Sequence, residues 1–314
     1  MGFQPDWLWI KSRSTADGHI VYDSVRGVSA GYLVPDGNYA EENSYTLLNS
    51  LDSDGFNVSH DGGDNTNESG TTYVAWNWLA GGSASSNTDG TITSSVSANT
   101  EAGFSIVGYT GTGSAGTVGH GLSKAPELVI WKDRDTAVNW LVQGDVMGAA
   151  ASGYIMLLNS TGSSYANSNF NTTLGASTIT LDAGGTNYNG SGKDTIAYCF
   201  HSVDGYSKIN KYTGNGSSDG TFVYTGFRPA WVMVKRSDSA ADWIVFDNKR
   251  DIDNEITKFL YPNLSNAEAT GSGVMDFLSN GFKLRGSTAN RNASGGTYIY
   301  LAFAEQPFKY SNAR

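Results

Sequence analysis

The sequence predicts an all-β chain of three tandem β-sandwich-like repeats, and three observations carry that prediction. A nine-residue phrase occurs three times, as PDWLWIKSR from Pro5, PELVIWKDR from Pro126 and PAWVMVKRS from Pro229, with a lysine six residues after each proline. Self-similarity at a fixed period is the mark of repeat architecture. With 39 glycines, 12% aromatic and only 16% charged residues among 314, the composition is that of a turn-rich β chain whose core is built from aromatic and β-branched side chains. The phrases themselves are apolar at successive positions, so each strand presents two apolar faces, as a strand buried on both sides does.

Taken in order, each copy opens with the Pro-to-Lys strand. Eight residues after Lys11, Lys132 and Lys235 comes a second strand, HIVYD from His19, WLVQGD from Trp140 and WIVFD from Trp243, closed by Asp23, Asp145 and Asp247. Copies one and three share a Gly-containing turn into a strand, SDGFNV and SNGFKL. All three finish on a glycine-led aromatic strand, GTTYVAWNW from Gly70, GKDTIAYCF from Gly192 and GGTYIYLAF from Gly295. Copies two and three also begin with a leading strand and a Gly-rich hairpin, GFSIVGYTGTGSAG from Gly103 and GYSKINKYTGNGSSDG from Gly205, which copy one lacks. The division that follows is repeat one at 1–85 without its leading strand, a Ser/Thr/Asn/Gly-rich linker at 86–103, repeat two at 104–204 and repeat three at 205–314. The missing strand leaves repeat one with an open edge; either residues 305–312, which follow the last repeat strand, pair with it in the same chain or head to tail in a neighbour, or the strand belongs to a longer fibre upstream of Met1.

The charge balance bounds the partners. A net charge of −10 offers no basic footprint, so nucleic acid is not expected as a partner. No apolar run approaches the roughly 18 residues of a membrane helix, and the N-terminus lacks a secretory signal, so a soluble protein without membrane insertion, made in a cytoplasm, is expected. The lone Cys199 reads as a small core side chain. The four histidines have no metal-ligand spacing, and neither a G-x-S-x-G elbow nor a phosphate loop between strand and helix is present, so no catalytic residue is assigned.

Three groups remain as candidates. The recurrent lysines read as rim residues paired with the recurrent aspartates. The acidic loop with Asp52, Asp54, Asp61, Asp64 and Glu68 carries the oxygen ligands that calcium prefers, although its spacing is not that of an EF-hand and Asp and Gly are ordinary turn formers. Trp76 and Asn77 form a candidate glycan-stacking platform, because the other copies place Tyr198 or Leu301 at the position of Trp76.

The stretch YTGNGSSDGTFVYTGFRPAWVMVKR (212–236) together with the ending GGTYIYLAFAEQPFKYSNAR (295–314) resembles repeat-containing virion structural or tail-fibre proteins of tailed, especially marine, bacteriophages, a family of unknown function. The resemblance implies a non-enzymatic place on a virus particle, as a tail-fibre segment or capsid decoration, with other virion proteins as partners. Three similar modules suit a homo-oligomer or a multivalent contact with host surface glycans. A polysaccharide depolymerase of the phage tail and a bacterial surface adhesin are the alternatives.

Overall fold

The computed structural model describes residues 2–59, 64–147, 153–168 and 170–306. Among them nearly all regular structure is antiparallel β. Repeat one contributes β1 (Trp7–Ser12), β2 (Ile20–Asp23), β3 (Leu48–Asp52), β4 (Gly55–Val58) and β5 (Tyr73–Trp78). The next segment holds β6 (Ser85–Asn87) and β7 (Ser94–Asn99). Repeat two follows with β8 (Phe104–Thr110), β9 (Gly116–Gly119), β10 (Leu128–Asp133), β11 (Leu141–Gln143), β12 (Tyr154–Leu157), β13 (Tyr165–Ala166), β14 (Thr178–Leu181) and β15 (Asp194–Phe200). Repeat three has β16 (Ser207–Thr213), β17 (Phe222–Tyr224), β18 (Pro229–Arg236), β19 (Trp243–Asp247), β20 (Ile256–Phe259), β21 (Ala269–Leu278), β22 (Gly281–Leu284) and β23 (Thr297–Ala304).

Pro5, Pro126 and Pro229 introduce the same element in the same place: β1, β10 and β18 each lie between the second strand and the last strand of their copy. The orders are β2-β1-β5 in repeat one, β11-β10-β15-β8 within the sheet of repeat two, and β19-β18-β23-β16 in repeat three. The turn that feeds each last strand requires a left-handed residue, and Gly70, Gly192 and Gly295 supply it with φ of 82°, 69° and 72°.

The two apolar faces of these sheets have different neighbours. One face packs on a smaller layer of its own repeat. In repeat one, Leu8, Ile10 and Tyr22 meet Leu47 and Leu48, with Phe56 and Val58 against them. In repeat two, Val129 and Trp131 meet Ile179 and Leu181 of the β14-β9 pair. In repeat three, Val232 and Phe246 meet Phe277 and Phe282 of the β17-β22-β21-β20 sheet. The other faces converge on a single core shared by all three, with Trp7, Trp9 and Trp78 from the first, Ile130, Trp140 and Tyr198 from the second, and Trp231, Met233 and Leu301 from the third. The repeats are therefore not beads on a string. Each closes a third of one central core, which is why their strands carry no polar face.

The expected linker at 86–103 needs correction, because β6 and β7 pair with each other and β7 continues onto β8, extending the sheet of repeat two. Val96 is buried there, and the buried Ser94 and Ser97 hydroxyls donate to Gly119 O at 2.8 Å and Gly82 O at 2.7 Å. Serine is compatible with burial when its hydroxyl is bonded to backbone, and composition alone does not reveal that. Among the described residues no fourth strand pairs with β5 of repeat one. Most of the tail segment 305–312 lies outside the described residues.

Candidate functional site

The recurrent lysines are not on the rim. Lys11, Lys132 and Lys235 are all fully buried, and the two-residue alternation of their strands places them on the central face beside Trp9, Ile130 and Met233. Their ammonium groups close loops instead of pairing with Asp23, Asp145 and Asp247. Lys11 Nζ donates to Ser12 O at 2.7 Å and Thr15 O at 3.4 Å, and Lys132 Nζ to Asp133 O at 2.6 Å and Thr136 O at 3.2 Å. Lys235 Nζ reaches Ala241 O at 2.8 Å and crosses to Thr161 O of repeat two at 3.0 Å. Burial, which penalises the charged amine, lowers all three to about 8.

A second recurrent position ties the repeats into a ring. Trp140 Nε1 donates to Val34 O of repeat one at 2.9 Å, and Trp243 Nε1 to Leu157 O of repeat two at 2.9 Å. In repeat one His19 stands at the matching position, and its Nε2 meets Tyr261 O of repeat three at 3.0 Å. Its other nitrogen, Nδ1, accepts from Trp9 Nε1 at 2.8 Å, so the neutral ring with the proton on Nε2 satisfies both bonds. Burial, and next the nearby Lys11 charge, pushes His19 down to about 3.

Around this ring, two of the three interfaces carry nearly superposable ionic networks. Asp23 Oδ1 accepts from Val25 N and Arg26 N, while Oδ2 accepts from Arg26 Nε at 2.6 Å and from Tyr198 Oη of repeat two at 2.7 Å. Arg26 continues to Glu41 at 2.5 Å, and Glu41 binds Arg134 of repeat two at 2.7 Å. In repeat three, Asp247 Oδ1 accepts from Lys249 N and Arg250 N, and Oδ2 from Arg250 Nε at 2.6 Å and Trp76 Nε1 of repeat one at 3.0 Å. Arg250 continues to Glu268 at 3.1 Å, and Glu268 binds Arg13 at 2.9 Å. Burial disfavours the charged Arg26 more than any single neighbour favours it, but Asp23, Tyr198 and Glu41 together hold its guanidinium above the ordinary value. The spacing Asp-x-x-Arg, present at 23–26 and 247–250 and broken at 145–148, is the sequence signal for these networks that the motif reading passed over.

Asp145 does not belong to this set, which corrects its equation with Asp23 and Asp247. Trp7 pairs with Asp23 and Trp231 with Asp247, but the register Val129↔Gln143 leaves Gly144 at the corresponding position. The extra residue in WLVQGD pushes Asp145 one place on, where it is exposed and starts a short 3-10 turn, Asp145–Met147.

The interface between repeats one and three also holds an open groove of about 350 Å3 along β5, lined by Trp76, Asn77, Trp78, Trp231, Asn248 and Phe303 among others. The proposed stacking platform is part of its wall, but Trp76 is 7% exposed and its ring is covered by Trp9, Trp231 and the Arg250 guanidinium. It offers no open face to a sugar, and Asn77 spends its amide on Ala75 O at 3.1 Å. Trp76 is a core residue whose polar edge serves Asp247.

Among the described residues the acidic loop does not bring a cation site together. Asp52 and Asp54 are exposed around the β3–β4 turn, Asp64 begins the helical turn Asp64–Asn67, and Glu68 accepts from Thr71 Oγ1 at 3.2 Å. Asp61 lies outside the described residues. Among the described residues no group of three or more His, Cys, Asp or Glu is arranged to hold a metal ion, and no helix is long and apolar enough to cross a membrane. Cys199 is fully buried on β15, with its thiol pushed up to about 12 by burial.

Comparison with curated proteins and with solved structures yields no match. A family model described as a domain of unknown function, DUF7483, matches residues 1–307. Because that match spans all three repeats and the core they share, the chain belongs to the DUF7483 family.

Proposed function

We propose that the chain is a non-enzymatic structural component of a bacteriophage virion, a tail-fibre segment or surface decoration that contacts other virion proteins and assembles with further copies of itself. The observation that carries this reading is the use to which the recurrent reactive side chains are put. Three lysines, the ring histidine and the cysteine are buried, and the lysines and the histidine are bonded within the fold. Such groups are spent on rigidity and offer no nucleophile or base to a substrate. The resemblance of residues 212–236 and 295–314 to virion proteins supplies the particle. A surface for a neighbour is available on edge strand β17, where Phe222 and Tyr224 flank the buried Val223 and are 43% and 65% exposed. Gold-labelled antibody against the chain, imaged on intact particles by electron microscopy, is expected to decorate the tail or the capsid; particles without label would refute the reading. Incubation with host surface polysaccharide should release no new reducing ends, and their release would favour the depolymerase.

A further inference from the structure

The groove beside β5 occupies the position that β8 and β16 fill in the other two repeats. In repeat two, β8 covers the free side of β15 from Phe104↔Phe200 onward, and in repeat three β16 covers β23 from Ser207↔Phe303 onward. Nothing among the described residues covers β5, and its burial is correspondingly poorer, with only Trp76 and Trp78 buried against six positions in each of β15 and β23. The backbone on that side is turned toward a partner. Arg13 N donates to Thr72 O at 2.7 Å, so in the register of β1 and β5 the amides of Val74, Trp76 and Trp78 face β1, and those of Ala75 and Asn77 face the groove. Repeat two keeps the same parity, with Arg134 N reaching Asp194 O on one side of β15 and His201 N reaching Gly103 O on the other. An edge of this kind is a template for another strand. Two buried side chains lining the groove point the same way. Trp231 and Asn248 are each 6% exposed, yet among the described residues Trp231 Nε1 and Asn248 Oδ1 have no hydrogen-bond partner. A buried donor and a buried acceptor left unpaired are costly, and a backbone laid along the groove carries both complementary groups.

We infer that this groove is a strand-accepting site whose occupant is an extended segment of a different protein, laid antiparallel on β5 with a branched aliphatic side chain opposite Trp76. The two filled repeats define that chemistry. Opposite Tyr198 and Leu301, which stand where Trp76 stands, the covering strands place Ile106 and Ile209, both in the shared core. An aromatic side chain marks the start of each: Phe104 stacks on Phe200 at 4.8 Å, and Tyr206 meets Phe303 edge-on at 5.8 Å. In repeat one the equivalent aromatic wall is Trp78, with Trp231 and Phe303 beside it. The segment therefore carries an aromatic residue and, two or three positions on, an isoleucine or valine, and six extended residues suffice to run β5. Both segments of this chain that show the pattern, β8 and β16, are already paired along their length within their own sheets. A second copy would have to unpair one of them to donate it, which is why the donor is a different protein. The inference deepens the proposed contact with other virion proteins and rests on that reading only for where the partner resides.

The probe is a fluorescein-labelled synthetic peptide with the sequence of residues 103–110, GFSIVGYT, titrated into the full chain and followed by fluorescence anisotropy. Saturable uptake is expected. In the antiparallel pairing the peptide amides at the Ser105 and Val107 positions point at β5, and the amide at Ile106 points away. N-methylation of the first two should weaken binding at least about tenfold, and N-methylation of the third by no more than about threefold. Phe104→Ser with Ile106→Ser in the peptide should also weaken it at least about tenfold. In the chain, Asn77→Pro removes a groove-facing amide and keeps the bonds to β1, a position where an edge strand tolerates proline, and should abolish uptake. Failure to take up the peptide, uptake that does not distinguish the N-methyl positions, or uptake unchanged in Asn77→Pro would each overturn the inference. So would self-association of the chain that the peptide dissolves, since the groove would then belong to a second copy. Particles without immunogold label would refute the virion reading and leave the peptide result standing.

Discussion

The interface between repeats one and two and that between repeats two and three occupy equivalent places around one core, yet they are held differently. The first buries Asp23 and Arg26 and bridges them through Glu41 to Arg134, with Tyr198 donating across the boundary. In the second, Asp145 is out of register, Leu301 stands where Tyr198 and Trp76 stand elsewhere, and the counterpart of the Glu41–Arg134 pair is Ser164 N and Oγ donating to Ser237 O, both at 2.9 Å. The difference teaches that the backbone and tryptophan bonds of the ring suffice to define the geometry, since Trp243 reaches Leu157 O with no ionic network beside it among the described residues. The charges are suited to discriminating one partner from another, a use attested for some buried polar groups.

The largest effect expected from breaking this contrast is at Asp247. Asp247→Ala takes from the buried Arg250, which is 6% exposed, its closest carboxylate and leaves only Glu268, and removes the acceptor of Trp76 Nε1, so a loss of about 3 kcal/mol in urea unfolding is expected. Asp145→Ala should stay within about 0.5 kcal/mol, as an exposed site does. Equal losses at the two positions would dissolve the distinction between the interfaces.

Next comes the acid limb of stability. His19 titrates at about 3 in the folded chain against an ordinary 6.5, so the unfolded chain takes up the proton first. Its contribution is complete above about 6.5 and is lost as pH falls toward 3, with a slope of about 1.4 kcal/mol per pH unit. The wild-type melting temperature should therefore fall more steeply from pH 6.5 to 4 than that of His19→Gln, and parallel profiles would contradict the ring assignment.

The alkaline side has the opposite origin. The three lysines titrate at about 8 in the folded chain and at 10.5 ordinarily, so between these values the unfolded chain holds more protons and stability rises with pH. Melting temperature should increase from pH 8 toward 10, and Lys132→Met should shrink the increase by roughly a third, one site in three with equal shifts. The smallest effect is constructive: Ser164→Glu with Ser237→Arg installs the missing pair in the third interface, for a gain of at most about 1 kcal/mol by double-mutant cycle.

Much of the fold was legible because the repeat is written in strand-length phrases. The Pro-to-Lys strands, the paired second strands and the glycine-led last strands all lie where the phrases place them, and among the described residues the side of β5 that β8 and β16 cover in the other repeats is unpaired. What could not be read is how the repeats meet. Two apolar faces per strand describe a sandwich interior and a shared core equally well, so Trp76 looked like a singular surface aromatic when it is the donor that locks repeat one onto repeat three. A lysine at a strand end reads as exposed by frequency, and only the convergence of three sheets encloses Lys11, Lys132 and Lys235. Register, too, was hidden: a one-residue insertion at Gly144 separates an aspartate that anchors a network from one that faces water.

The bond from His19 to Tyr261 spans 242 residues, and it has a kinetic meaning as well as a structural one. Repeat one cannot complete its packing until repeat three has been synthesised, because the partner of His19 lies 242 residues further along the chain. Contacts of such long sequence separation are slow to form, since the entropy of closing the loop is lost before any contact repays it. The same barrier acts in reverse. Once shut, the circle can open only by parting a seam that involves all three sheets, so the persistence of the native state is expected to be set by a slow unfolding rate more than by a large equilibrium stability.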